Sequence, residues 1–139
     1  MDASACPTIS FTVPGIPVPW ARAGSKGGIR FTPRKQRDYG AAVRTICAET
    51  MRRAGAALLD GPVQLSIRAT YVPPASWSQK KRAAAQWRIG RPDADNLGKL
   101  VADNLNGVAW VDDAQVVSLH IWKTIGDRAE LVVEIRGLG

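Results

Sequence analysis

The sequence predicts an α/β protein of the α+β kind: a single domain spanning residues 1–139, with one mixed sheet packed by helices on one face. Two observations predict it. Alternating apolar residues mark four segments, near residues 8–13, 63–71, 117–121 and 131–135, with the period of half-buried strands. Between and among them, helix-start signals and apolar residues at three- and four-residue spacing mark three helices. The resulting order is β-α-β-α-α-β-β. A chain of 139 residues is the size of one domain and long enough for one core. Strand order in the sheet is not legible at this level.

In the first strand Ile9, Phe11 and Val13 share a face. Pro14, Pro17 and Pro19 then remove backbone donors, so the stretch to Trp20 is irregular. Arg22 to Arg30 is a glycine-rich loop carrying Arg22, Lys26 and Arg30. Such a loop can approach a phosphate backbone closely, or it can be a plain hairpin. Thr32 is expected to cap the first helix, with Pro33 at its first position. Tyr39, Val43, Ile46, Cys47 and Met51 form its apolar stripe. Arg34, Lys35, Arg37 and Arg44 lie mostly outside the stripe, as a solvated face or a DNA contact.

Gly61-Pro62 opens the second strand, where Val63, Leu65, Ile67, Ala69 and Tyr71 alternate with polar residues. Pro73-Pro74 ends it. A short helix is expected from Trp77 to Arg88, capped by Ser76 and carrying Lys80, Lys81 and Arg82. Trp77 and Trp87 flank this basic run. Aromatics beside cations can stack on bases, although tryptophans more often pack in a core. Val117, Leu119 and Ile121 mark the third strand and Leu131, Val133 and Ile135 the fourth, with Gly126-Asp127 as the turn between them. His120, the only histidine, has no partner visible in the sequence and is read as structural.

The chemistry is concentrated between Arg91 and Gln115. Asp95 is expected to cap a helix whose buried stripe is Leu97, Leu100, Val101 and Leu105, with Asn106-Gly107 as the stop. Gly98 inside it costs roughly 1 kcal/mol relative to Ala. Asp95, Lys99 and Asp103 then follow at i, i+4 and i+8, opposite the apolar stripe. Asp93 precedes the helix after Pro92, and Asp112-Asp113 lies just before the third strand. Clustered carboxylates repel one another unless a cation neutralises them. Mg²⁺ takes hard oxygen ligands, commonly one or two carboxylates completed by water and substrate phosphate. A metal held this way activates water and stabilises phosphoryl charge, and a lysine such as Lys99 can hold a phosphate oxygen. Taken singly, Asp95 reads as a cap and Asp112-Asp113 as a turn; their combination in a basic chain favours metal. An EF-hand is excluded, because Leu97 and Asn104 fall where an oxygen ligand and a Glu are required.

Charge supports the same reading. Net charge is +7, but residues 1–91 carry 15 Lys/Arg against 4 Asp/Glu, whereas residues 92–139 carry 4 against 8. A basic body around an acidic centre suits a polyanionic substrate. Cys6 and Cys47 have no metal-ligand spacing and suggest no disulfide framework, so both are expected reduced. No apolar run is long enough to span a membrane and no secretory signal is visible. The expectation is a soluble, cytoplasmic protein without a membrane partner.

At these residues the chain resembles the RusA family of Holliday junction resolvases of phages and prophages. Phe11-Thr12-Val13-Pro14-Gly15-Ile16-Pro17-Val18-Pro19 is similar to the family's opening strand and proline-rich turn, and Phe31-Thr32-Pro33 with Arg37-Asp38-Tyr39 to its first helix. The most specific blocks are Pro92-Asp93-Ala94-Asp95-Asn96-Leu97-Gly98-Lys99, Asp103-Asn104-Leu105-Asn106-Gly107-Val108 and Asp112-Asp113-Ala114-Gln115-Val116. The resemblance implies a RusA-like fold and a homodimeric, Mg²⁺-dependent endodeoxyribonuclease, with Mn²⁺ as a possible substitute. It would resolve four-way junctions by paired symmetric nicks in DNA recombination and repair, in association with the nucleoid. The family's essential acids fall on Asp93, Asp95 and Asp113, with Asp112 supporting, and its catalytic lysine on Lys99. Trp20-Ala21 stands where many relatives carry Lys-Gly, and Ala94 where leucine is commoner. The basic candidates for DNA contact are Arg22, Lys26, Arg30, Arg34, Lys35, Arg37, Lys80, Lys81 and Arg82. The rival functions are a nuclease for other branched DNA such as flaps and a junction-binding protein without catalysis.

Overall fold

The alternation of apolar residues places four strands in one sheet, and the computed structural model, which describes residues 7–22, 24–26 and 29–139, gives their order. The strands are β1 (Thr8–Pro14), β4 (Val63–Tyr71), β5 (Val116–Ile125) and β6 (Glu130–Gly137). They are arranged β1-β6-β4-β5. β6 runs antiparallel to both β1 and β4, whereas β4 and β5 are parallel. A parallel neighbour needs a long crossover, and the segment carrying α2 (Gln79–Ala84) and α3 (Ala94–Asn104) provides it. A separate small hairpin pairs β2 (Gly24–Lys26) with β3 (Ile29–Phe31). The glycine-rich segment therefore contains a hairpin. The side chains of Lys26 and Arg30, and all of Cys6, lie outside what is described.

Helix α1 (Arg34–Ala54) lies against β1, and α3 against β5. Between helices and sheet sits the core, with Val63, Leu65, Ile67, Leu131, Val133 and Ile135 fully buried. Each such side chain contributes roughly 1.5–3 kcal/mol over leaving it exposed. Helix α3 is bound by the stripe expected for it, since Leu97, Leu100, Val101 and Leu105 are all buried. Gly98 is explained by the sheet beneath it: an added Cβ would fall 2.7 Å from Ile121 Cδ1. Gly40 on α1 does the same for the helix pair, because a Cβ there would meet the Asn104 side chain at 2.5 Å.

Several boundaries differ from expectation. Pro33, not Thr32, occupies the cap position of α1, without a side-chain cap, so Pro33 is outside the helix. Of its predicted stripe, Tyr39, Val43, Cys47 and Met51 are buried and Ile46 is partly so. Helix α2 is shorter than Trp77–Arg88 and is capped by Ser78, whose Oγ accepts from Lys81 N at 3.1 Å. The reason lies downstream. Residues 86–88 leave the helix to pair with the free edge of β5, through Ile125 N to Gln86 O at 3.0 Å and Arg88 N to Lys123 O at 2.9 Å. Trp87 is consequently 51% exposed rather than in the core. The turn after Gly126 joins two strands that are not neighbours. It passes over the end of β4, where Gly126 N donates to Tyr71 O at 3.0 Å.

Candidate active site

Helix α3 carries most of the acidic centre, and its start is set one turn-fraction earlier than the sequence suggested. Asp93, not Asp95, occupies the cap position, and its carbonyl accepts from Asn96 N at 3.1 Å. Its carboxylate makes no capping bond. Asp95 falls in the first helical turn, where the positive end of the helix dipole favours it. Asp93 and Asp95 therefore lie at the cap and in the first turn of α3. Both are exposed, and neither forms an ion pair among the described residues.

Further along the same face come Lys99 and Asp103, also exposed. The chain then leaves α3 at Leu105, turns through Gly107 at φ 77°, and returns through buried Trp110. Trp110 Nε1 donates to Asn106 Oδ1 at 2.9 Å, which fixes this tight return. Its consequence is chemical: Asp103 at the end of α3 lies within hydrogen-bonding reach of Asp113 in a 3₁₀ turn, Asp113–Gln115. Loss of solvation against its neighbours and the adjoining Asp113 push the Asp103 carboxyl above its ordinary range, against a smaller opposing pull from Lys99.

The 3₁₀ turn is held rigidly. Asp112 Oδ2 accepts from Ala114 N at 3.3 Å, and Gln115 Oε1 accepts from the Val111 and Asp112 amides at 2.9 and 3.0 Å. The Gln115 amide also donates to Leu59 O and Gly61 O at 3.0 and 2.9 Å. This reciprocal cap moors the Asp112-Asp113 pair to the chain entering β4, and it occupies one Asp112 oxygen. A second clamp acts before Asp93. Lys123 Nζ, from β5, donates to the carbonyls of Gly90 and Pro92 at 2.6 and 2.7 Å. Lys99 Nζ lies 3.8 Å from the centroid of the Trp20 ring, and Trp20 N donates to Asn96 O at 2.9 Å.

The structure thus brings Asp103 to Asp113, sets Lys99 one turn before Asp103 on α3, and leaves Asp93 and Asp95 nearer the helix start. Among the described residues, no three His, Cys, Asp or Glu side chains form a ready-made metal cage. The donors nevertheless fit Mg²⁺ better than a softer metal, being oxygens only. One or two carboxylates suffice for that ion when water and phosphate complete its shell, and the Asp103–Asp113 repulsion is the kind a cation relieves. Gln115, Lys123 and the Lys99–Trp20 contact were not identified as site features from sequence, and Asp103 was placed on the acidic face without its approach to Asp113. A signal was present for one of them: Asp112-x-x-Gln115 has capping-box spacing.

The basic candidates divide. Ala21 N donates to the buried Gln36 side chain at 2.9 Å, so the strap ending at Arg22 is tied to α1 as well as α3. Arg22, Arg34, Lys35 and Arg37 are exposed near that junction, with Arg34 3.7 Å from Asp38. Lys80 and Lys81 are exposed on α2, with Lys81 Nζ 4.3 Å from the centroid of the Trp77 ring. Arg82 is spent on structure, donating to Trp77 O and Pro74 O at 3.2 and 2.9 Å. His120 is exposed rather than buried, stacked on Trp122 at 5.9 Å.

The family profile for the endodeoxyribonuclease RusA matches residues 14–136. The chain belongs to the RusA family. The match runs from the end of β1 to the end of β6, and so includes α3 and the acidic turn. A relative from Bacillus subtilis (strain 168), described as "Uncharacterized protein YqaN", is 29% identical over 140 residues, covering 92% of this chain and 95% of its own. RusA membership makes this an endodeoxyribonuclease fold with an acidic helix at its centre, and the small mixed α+β sheet agrees with it. No described helix is long and apolar enough to cross a membrane.

Proposed function

We propose that this RusA-family chain is a Mg²⁺-dependent endonuclease that resolves four-way DNA junctions by paired symmetric nicks. The observation that carries the reading is the approach of Asp103 to Asp113, beside Lys99, within a family of endodeoxyribonucleases. Asp103 and Asp113, with Asp93 and Asp95 from the helix start, would hold the ion. When bound, Mg²⁺ supplies an activated water and neutralises phosphoryl charge. The chain's own residues do the rest. Lys99 presents an ammonium to a phosphate oxygen, and Trp20 limits its freedom. Gln115 and Lys123 fix the two acid-bearing segments. Exposed Arg22, Arg34, Lys35 and Arg37 attract the backbone, and this binding is salt-dependent.

A four-way junction presents two scissile phosphates related by symmetry, so a twofold dimer gives each one an acidic site. A role in recombination and repair follows from that substrate. The test is cleavage of a synthetic mobile four-way junction with Mg²⁺ and with EDTA, alongside flaps and linear duplex. Two symmetric nicks in the junction with metal alone support the reading. Stronger cutting of flaps would reassign the substrate, and binding without nicks in either Mg²⁺ or Mn²⁺ would remove the enzymatic reading.

A further inference from the structure

One residue before Asp93, a cavity of about 490 Å³ opens between the proline-rich strap, the end of β4 and the Arg88–Pro92 segment. Its floor is the ring of Tyr71, which is only 5% exposed, and Arg88 Cζ lies 4.7 Å from that ring's centroid. Ile16 and Val72 form its walls, yet they are 65% and 47% exposed. Arg91 and Pro92 complete it. Arg88 Nε donates to Arg91 O at 3.0 Å and Lys123 holds Pro92, so this rim is built rather than loose.

The lining selects its ligand. Two arginines and no carboxylate line an otherwise apolar slot, which suits a planar, apolar ring attached to an anion and disfavours a cation. The volume falls within the range of small-molecule sites and is too small for a duplex. Its distance along the chain from Asp93 is a single residue. The geometry points to a site for one unpaired nucleobase, from a nucleotide adjoining the phosphate at the acidic centre. The base rests against Ile16, Val72 and the Arg88 guanidinium that covers the buried Tyr71 ring, and Arg91 meets its phosphate. This deepens the nuclease reading and rests on its choice of a branched DNA substrate, since base pairs at a branch point lose stacking neighbours and open at lower cost than those inside a duplex. Stacking on an arginine plane tolerates every base, because each has a π-face.

The experiment measures binding in EDTA, independently of cutting. A set of synthetic four-way junctions carries an abasic residue at each nucleotide bordering the branch point in turn. Wild-type protein is expected to lose affinity about tenfold at one position and little elsewhere. Ile16→Asp, and separately Val72→Glu, should bind the intact junction more weakly and show no additional abasic loss. The proposal is overturned if no position is sensitive in the wild type, if both variants retain the sensitivity, or if the junction does not bind. It is equally overturned if the substitutions alter only self-association, because the slot would then be a protein contact. Retention of the binding pattern without Mg²⁺-dependent nicking would sink the nuclease reading alone.

Discussion

The ammonium of Lys99 lies 3.8 Å from the centroid of the Trp20 ring, and Trp20 is itself hydrogen-bonded to the first turn of α3. The lysine is therefore held on an aromatic face while its neighbouring acids remain unpaired with it. A cation–π contact is worth about 0.5–1 kcal/mol at exposed sites and about 2 kcal/mol when desolvated. Lys99→Ala should reduce single-turnover junction cleavage by about 10²–10³-fold, the range for losing one charge-stabilising donor. Its effect on junction affinity should be within about threefold. Trp20→Ala should reduce the cleavage rate less, by about three- to tenfold, matching the contact energy. Equal losses of binding and cutting in Lys99→Ala would make this residue a docking group.

Asp103 and Asp113 repel across the gap between α3 and the 3₁₀ turn. Asp103→Asn should therefore raise the Tm of the metal-free protein while weakening both Mg²⁺-induced stabilisation and cleavage. The sign with pH follows from the raised Asp103 pKa. The folded state holds this proton more tightly than the unfolded one, so the contribution to stability is full below the ordinary carboxylate range. It is lost as pH rises through the elevated folded-state value. Thermal melts in EDTA across the acidic range should show that loss in the wild type and a flatter profile in Asp103→Asn. Identical profiles would mean that the two carboxylates do not interact in solution.

Gln115 makes hydrogen bonds to four backbone groups, two as acceptor and two as donor. A typical hydrogen bond contributes about 1 kcal/mol net. Gln115→Leu should lower unfolding free energy by about 2–4 kcal/mol in urea titration and reduce cleavage by displacing Asp113. Gln115→Glu keeps the acceptor side towards Val111 and Asp112 but loses the donors to Leu59 and Gly61. It should fall between Leu and wild type, and a Glu variant no better than Leu would place the mooring wholly in the donor pair.

How much of this was legible depends on whether burial was local. β4 and β6 read correctly because they are interior strands with one face against the helices, which imposes strict alternation. α3's stripe read correctly for the same reason. In β5 the same pattern misleads, because an edge strand leaves Val117 and Leu119 64% and 50% exposed. Strand order was hidden because it depends on pairings such as Val63 with Gly137 and Gln64 with Ser118, far apart in the chain. The misplaced helix starts have a common cause. Thr32 and Asp95 are good capping residue types, but the helical hydrogen-bond ladder starts from the Pro33 and Asp93 carbonyls, and neither of these residues caps with its side chain. Family motifs located Asp93, Asp95, Lys99 and Asp113 in sequence. Asp103's approach to Asp113 required the Leu105–Trp110 return, and so appeared only in three dimensions.

Cys47 on α1 is fully buried, and burial pushes its thiol up to about 11. The thiolate is the nucleophile, so both access and ionisation protect this residue in the folded protein. In a Cys6→Ser background, which isolates it, iodoacetamide at pH 8 should label Cys47 at least about 10²-fold more slowly in native buffer than in denaturant. The native rate should rise steeply with pH without levelling off below pH 10. Rapid native labelling at pH 8 would show that α1 detaches from β1 readily, and that the strap tying α1 to α3 does not hold the acidic helix in one place.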